Sequence, residues 1–211
     1  MARVRRVLLD AAAELAARDP ALGRVIEQVG PPDLRRGRPR RDHFGELVRA
    51  ICFQQLAGAA ARTIHGRLLE RFDGAPTPEA VLALPYDQLR AAGLSNNKAT
   101  SIRDLAAHVI EGDVQLERVA RLSDDEIVRE LTLVRGIGRW TAEMFLIFQL
   151  GRLDVWPVDD FGVRKGYGRI HGVDPAPTAK QLEPLGDPYR PYRSVVAWYC
   201  WRAADTTLPV A

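Results

Sequence analysis

Apolar residues recur at spacings of three and four along most of the chain, the period of a helix with one buried face. Residues 4–17, VRRVLLDAAAELAA, carry this pattern in an Ala- and Leu-rich stretch. Residues 20–29 predict a second, short helix that opens on Pro20 and is stopped by the Gly-Pro-Pro run beginning at Gly30. The period resumes at Phe44, Leu47, Val48 and Ile51, and again at Ile64, Leu68 and Phe72; a break near Ala57-Gly58 predicts two helices there. Thr77-Pro78 reads as an N-cap followed by proline at the first helical position. Ser123 and Glu126 form a capping-box pattern ahead of Ile127 and Leu131. The last helix is rich in aromatics, with Tyr192, Trp198, Tyr199 and Trp201. No run of Val, Ile and Thr alternates long enough to specify a sheet. The expectation is an all-α chain of roughly ten helices.

Composition narrows the class. A 46% hydrophobic fraction in 211 residues supports a sizeable core and one or two folding units. The net charge of +3 is by itself a weak pointer to nucleic acid. Its distribution says more: RRGRPRR at 35–41 holds five arginines in seven positions, a solvated loop and the best linker candidate, and Arg3, Arg5 and Arg6 crowd the start. Lysines are scarce, only Lys98, Lys165 and Lys180. Cys52 and Cys200 have no metal-binding spacing, so neither a zinc site nor an iron–sulfur cluster is expected, and Cys52 falls in an apolar run that reads as core. His43, His65, His108 and His171 form no ligand pattern, and no metal or cofactor is expected. No apolar stretch is long enough to span a membrane, and the N-terminal one breaks at Asp10, so a soluble, cytoplasmic protein is expected.

The sharpest local signal is RGIGRWTAEM at 135–144, a glycine turn between two helices, echoed faintly by AAGLSNNKA at 91–99. A helix that restarts at once after such a turn exposes the N–H groups of its first turn. Gly136 and Gly138 can take positive φ and have no Cβ to hold a ligand away, so a phosphate can approach the backbone and the positive end of the helix dipole. The bland alternative is a plain helical hairpin with glycine caps. Fifteen residues beyond Met144 begins a second signal, Asp159-Asp160 in PVDDFG.

LTLVRGIGRWTAEMFLIF, followed by DVWPVDDFGVRKG, resembles the helix–hairpin–helix DNA glycosylase superfamily, and within it the DNA-3-methyladenine glycosylase II type. RAICFQQLAGAAARTI at 49–64, GLSNNKATSI at 93–102 and PYRSVVAWYCWR at 191–202 extend the resemblance over residues 44 to 203. It implies two helical subdomains with a cleft between them, residues 44–150 forming one and residues 1–43 plus 151–211 the other. It also implies a hairpin that grips a phosphate through Arg135, Gly136, Ile137, Gly138, Arg139 and Thr141.

An acidic pair beside a DNA site opposes binding and so suggests chemistry. Breaking an N-glycosidic bond builds positive charge on the sugar, which a carboxylate near C1′ stabilises while orienting or deprotonating water. One ionised carboxylate suffices, and its neighbour can cap the next helix. By motif the resemblance puts the chemistry on Asp160, leaving Asp159 a supporting, capping role. The family's lyase lysine would follow Gly-Ile-Gly-Arg directly; Trp140 stands there, so a monofunctional enzyme leaving an abasic site is expected. The base pocket falls on Trp140, Trp201, Phe161 and Met144, where an indole face attracts a cationic alkylpurine. The DNA wedge falls on Gln55, with Gln54 and Leu56 beside it. Ala57 stands where the family has Ser, Arg193 matches a structural arginine, and Gly186 and Asp187 occupy a stretch where the family carries a Trp. The resemblance thus implies excision of alkylated purines from damaged double-stranded DNA by a monomer. Two alternatives stay open: a glycosylase for another lesion, such as hypoxanthine or uracil, and a binding module that kept the hairpin and lost activity.

Overall fold

The computed structural model describes residues 2–34 and 42–205; the arginine run at 35–41 lies outside the described residues. Among them are twelve α-helices and no strand. No helix there is long and apolar enough to cross a membrane. The chain forms two compact units, Met1–Gly37 with Leu146–Ala211, and Arg38–Phe145.

In the first unit, α1 (Ala2–Arg18) ends at Asp19, which caps α2 (Pro20–Val29). Asp19 Oδ1 accepts from the Ala21 and Leu22 amides at 2.9 and 3.1 Å, and Pro20 sits where its missing N–H costs nothing. Leu8, Leu15, Leu22 and Val25 turn inward. They meet α10 (Phe161–His171) and α12 (Arg193–Asp205), which cross at backbone contact: a Cβ on Gly166 would lie 1.9 Å from the Cys200 carbonyl oxygen. Only glycine permits that approach, and it fixes the middle of α10 against the middle of α12. Tyr199 is fully buried in this core, its hydroxyl donating to Gly30 O at 2.9 Å. α11 (Ala179–Leu185), opened by a Thr178–Gln181 capping box, adds Leu182.

The second unit is built on α7 (Asn96–Glu111), whose Ala99, Ile102, Leu105 and Ala106 are buried. Against it pack α3 (His43–Phe53), α5 (Pro78–Ala83) and α6 (Tyr86–Ala91). α4 (Gly58–Leu69) follows α3 after the expected break, with the turn at 54–57. Thr77 caps α5 with Pro78 at its first position. The Ser123–Glu126 capping box opens α8 (Asp124–Leu131), which the hairpin joins to α9 (Arg139–Met144). Burial pushes the Cys52 thiol up to about 12, which leaves a neutral, inert core side chain.

Candidate active site

The residues singled out in the sequence form two groups, one in each unit. In the first unit Asp160 is the N-cap of α10 and is buried, with 9% of its surface exposed. Its Oδ1 accepts from Val163 N at 2.8 Å and from the indole Nε1 of Trp201 at 2.9 Å. Two donors on one oxygen fix the plane of the carboxyl group, and the positive end of α10 favours an anion there. Trp201 is held in turn. One face stacks on Phe148 with ring centroids 5.4 Å apart, and its edge lies over Gly162, where a Cβ would come within 2.8 Å of Cδ1. The motif Asp-Phe-Gly thus works as a unit: the aspartate caps, and the glycine makes room for the indole that donates to it.

One expectation is corrected here. The capping role given to Asp159 belongs to Asp160; Asp159 is exposed, one residue before the cap. The same carboxylate can serve both roles, because the helix amide orients it without removing its charge. Phe161 is 68% exposed, with the Arg164 guanidinium 5.8 Å from its ring centre. Arg193 is structural, as expected. It grips Asp154 through Nε to Oδ1 at 2.8 Å and a terminal nitrogen to Oδ2 at 3.0 Å, and Arg190 reaches the same Oδ2 at 2.9 Å. Burial would raise the Asp154 carboxyl, but the hydrogen bonds and charges of Arg193, then Arg190, outweigh it and hold it below the usual carboxylate range. The departure at Gly186 also has a reason. Trp156 is buried with its Nε1 donating to Leu182 O, and a Cβ at 186 would lie 2.5 Å from its ring.

In the second unit, the connection between α8 and α9 (residues 132–138) is longer than that between α6 and α7 (residues 92–95), but its last residues repeat the shorter one position for position. Gly93 and Gly136 have φ of +100° and +79°. Leu94 and Ile137 follow them, both buried, and Ala99 and Ala142 are buried further on. The difference lies at the cap. Ser95 Oγ accepts from Lys98 N at 3.3 Å, whereas its counterpart Gly138 offers no side chain to the first turn of α9. Both hairpin glycines can take positive φ; Gly136 does, and Gly138 is extended with φ −90°. A Cβ added at Gly138 would meet nothing within 4 Å, so that side is open to a ligand.

The remaining hairpin residues divide by depth. Arg135 is exposed and its amide donates to Asp104 Oδ2 at 2.7 Å. Ile137 is a buried anchor whose N–H closes the turn onto Val134 O. Arg139 keeps 61% of its side chain exposed while its Nε donates to buried Glu143 at 2.9 Å. Thr141, placed by sequence in the phosphate grip, is 7% exposed and 3.5 Å from Gln54 Nε2, so it supports the turn from inside. Trp140 is 46% exposed and Met144 half-buried.

The turn between α3 and α4 presents Gln55 and Leu56 outward, with Gln55 at φ +54°. Gln54, expected beside the wedge, points the other way and donates to Gly136 O at 2.9 Å. Ala57 is the N-cap of α4 and supplies no side-chain bond, which is what the loss of the family serine predicts. Sequence reasoning missed the Trp201–Asp160 bond, the Gln54 tie and Lys98, whose Nζ donates to Cys52 O at 2.7 Å. It also missed the approach of His108, Glu111 and Asp113, whose ligand-type atoms lie within 4.8 Å of one another at the end of α7. No spacing rule finds these pairs, because the partners are tens of residues apart or meet only through a helix end.

A helical chain with a glycine hairpin and a buried, doubly bonded aspartate at a helix start defines a class. Residues 48–191 match the HhH-GPD superfamily of base excision DNA repair proteins. A curated relative, DNA-3-methyladenine glycosylase 1 of Schizosaccharomyces pombe, is 35% identical over 96% of this chain and 92% of its own. Among solved structures, the S. pombe 3-methyladenine DNA glycosylase in complex with abasic DNA is similar with a TM-score of 0.79 at 34% identity, covering 94% of this chain and 98% of that one. A DNA-3-methyladenine glycosidase from Bacillus halodurans gives 0.82 at 36%, covering 90% and 87%. The chain belongs to the HhH-GPD superfamily.

Proposed function

We propose that this protein is a monofunctional DNA glycosylase that excises alkylated purines of the 3-methyladenine type from damaged duplex DNA, acting as a monomer. The observation that carries the reading is the carboxylate of Asp160, buried at the N-cap of α10 and clamped by Val163 N and Trp201 Nε1. A cap alone does not need the second donor, and a phosphate-gripping module does not need a buried anion.

The chemistry follows from that group. An alkylated purine already carries positive charge, so the electron pair of the N-glycosidic bond departs with the base as a neutral purine. The sugar is left with oxocarbenium character, which the fixed anion of Asp160 stabilises. Water adds at C1′ and gives up a proton, leaving an abasic site. The position that directly follows Gly-Ile-Gly-Arg holds Trp140 in place of a nucleophilic lysine, so no Schiff base forms there and the backbone stays intact. A flipped base brought to Asp160 stacks on the aromatic side chains next to it, Phe161 and Trp201. Gln55 and Leu56 fill the hole in the stack, and the hairpin at 135–139 holds the phosphate. The relatives named for 3-methyladenine favour alkylpurines over hypoxanthine or uracil.

The test compares wild type with Asp160→Asn on duplexes carrying 3-methyladenine, 7-methylguanine, 1-methyladenine, hypoxanthine or uracil, followed by alkaline cleavage of abasic sites. Asparagine keeps the cap, so the variant folds and binds DNA but releases no base. Normal excision by the variant refutes the assignment, and borohydride trapping of a covalent adduct refutes the monofunctional mechanism.

A further inference from the structure

On α7, Lys98, Ser101 and Asp104 follow at a spacing of three, which brings them along one side of the helix. Each meets a different part of the second unit's functional surface. Lys98 Nζ donates to Cys52 O at 2.7 Å and so holds the last turn of α3. Ser101 Oγ fills the space beside Gly136, 2.5 Å from where a Cβ would stand. Asp104 Oδ2 accepts from Arg135 N at 2.7 Å. One strip of α7 therefore carries both the end of α3 and the hairpin turn.

Gln54 joins those two directly, its amide donating to Gly136 O across 82 residues of sequence. Immediately after it, Gln55 is the one described non-glycine residue with positive φ, a conformation that persists in L-residues only where the surroundings impose it. Both the residue before it and the helix end behind that are tied down, by Gln54 and by Lys98.

We propose that Gln54 is a positioning residue: its side-chain amide couples the Gln55–Leu56 turn to the hairpin, so that the wedge and the phosphate grip engage DNA at one fixed separation. This rests on the wedge and hairpin roles given above. A tie of this kind matters most where both parts are used at once, at a gap in the base stack, and least on continuous duplex, where nothing is inserted.

Gln54→Met keeps the length of the side chain and removes the donor. Binding is measured on a duplex with a tetrahydrofuran abasic analogue opposite 2-aminopurine, and on the same duplex undamaged, with thermal melts confirming the fold. Loss of one hydrogen bond predicts affinity for the abasic duplex about tenfold lower and a correspondingly smaller 2-aminopurine response, with undamaged duplex changed by less than about twofold. Gln54→Glu, near-isosteric but with an acid facing the Gly136 carbonyl, gives the same pattern if Gln54→Met folds poorly. The Gln54→Met/Gln55→Ala double variant binds the abasic duplex no more weakly than Gln55→Ala alone, a non-additivity that a purely structural role does not produce. Equal losses on both duplexes, no loss on either, or additive losses in the double variant overturn the coupling. The assay scores binding alone, so a wild type that grips abasic duplex and excises nothing removes the glycosylase reading and leaves this inference standing.

Discussion

The bond between Trp201 and Asp160 can be weighed by removing it with little else. Trp201→Phe deletes the Nε1–H and keeps an aromatic ring to stack on Phe148, while Val163 N still donates to Oδ1. What is lost is one hydrogen bond to a charged acceptor, worth about 1.5–3 kcal/mol, together with some packing from the smaller ring. Asp160→Ala removes the same bond from the other side, along with a helix cap worth about 1 kcal/mol. Packing and cap terms cancel in a double-mutant cycle, so the coupling energy isolates the indole–carboxylate bond. Urea unfolding of wild type, both single variants and the double variant at neutral pH gives that number. The expected coupling is about 1.5–3 kcal/mol. A value below about 0.5 kcal/mol, the range within which independent sites simply add, refutes the claim that Trp201 holds the carboxylate.

The two hairpin glycines separate conformation from access. Gly136→Ala forces a Cβ onto φ +79° and against Ser101, and loses about 1–3 kcal/mol of stability by denaturant titration. Gly138→Ala meets no clash at φ −90°; it changes stability by less than about 0.5 kcal/mol yet weakens DNA binding by placing a methyl at the open edge of α9. Ala57→Ser restores a cap to α4 and raises stability by about 1 kcal/mol in the same titration. For Asp154 the folded carboxyl lies below its unfolded value, so its contribution is complete above about pH 4–5 and is lost as pH falls through the folded value. The stability difference between wild type and Asp154→Asn, followed by urea unfolding against pH, is therefore flat near neutrality and shrinks on acidification; a difference that grew towards low pH has the wrong sign for this ion pair.

Sequence alone determined the helices and most of their ends. Period, caps and punctuation are local: Thr77-Pro78, the Ser123–Glu126 box and the break before Gly58 each lie within a few residues of the structure they specify. The glycine hairpin and a helix beginning beside Asp159-Asp160 were legible for the same reason, and the echo between 91–99 and 134–142 holds at the positive-φ glycine, the buried apolar residue after it and the buried alanine. Tertiary structure decided which side chains serve those motifs. Whether Asp159 or Asp160 caps α10 depends on a one-residue shift of the helix start, and sequence has no register for that. That Trp201 donates to Asp160, that Gln54 faces inward while Gln55 is forced outward, and that Lys98, Ser101 and Asp104 line one support follow from how helices distant in sequence pack. Hydrogen bonds between such residues need angles and distances set only when the core closes, so no pattern along the chain announces them.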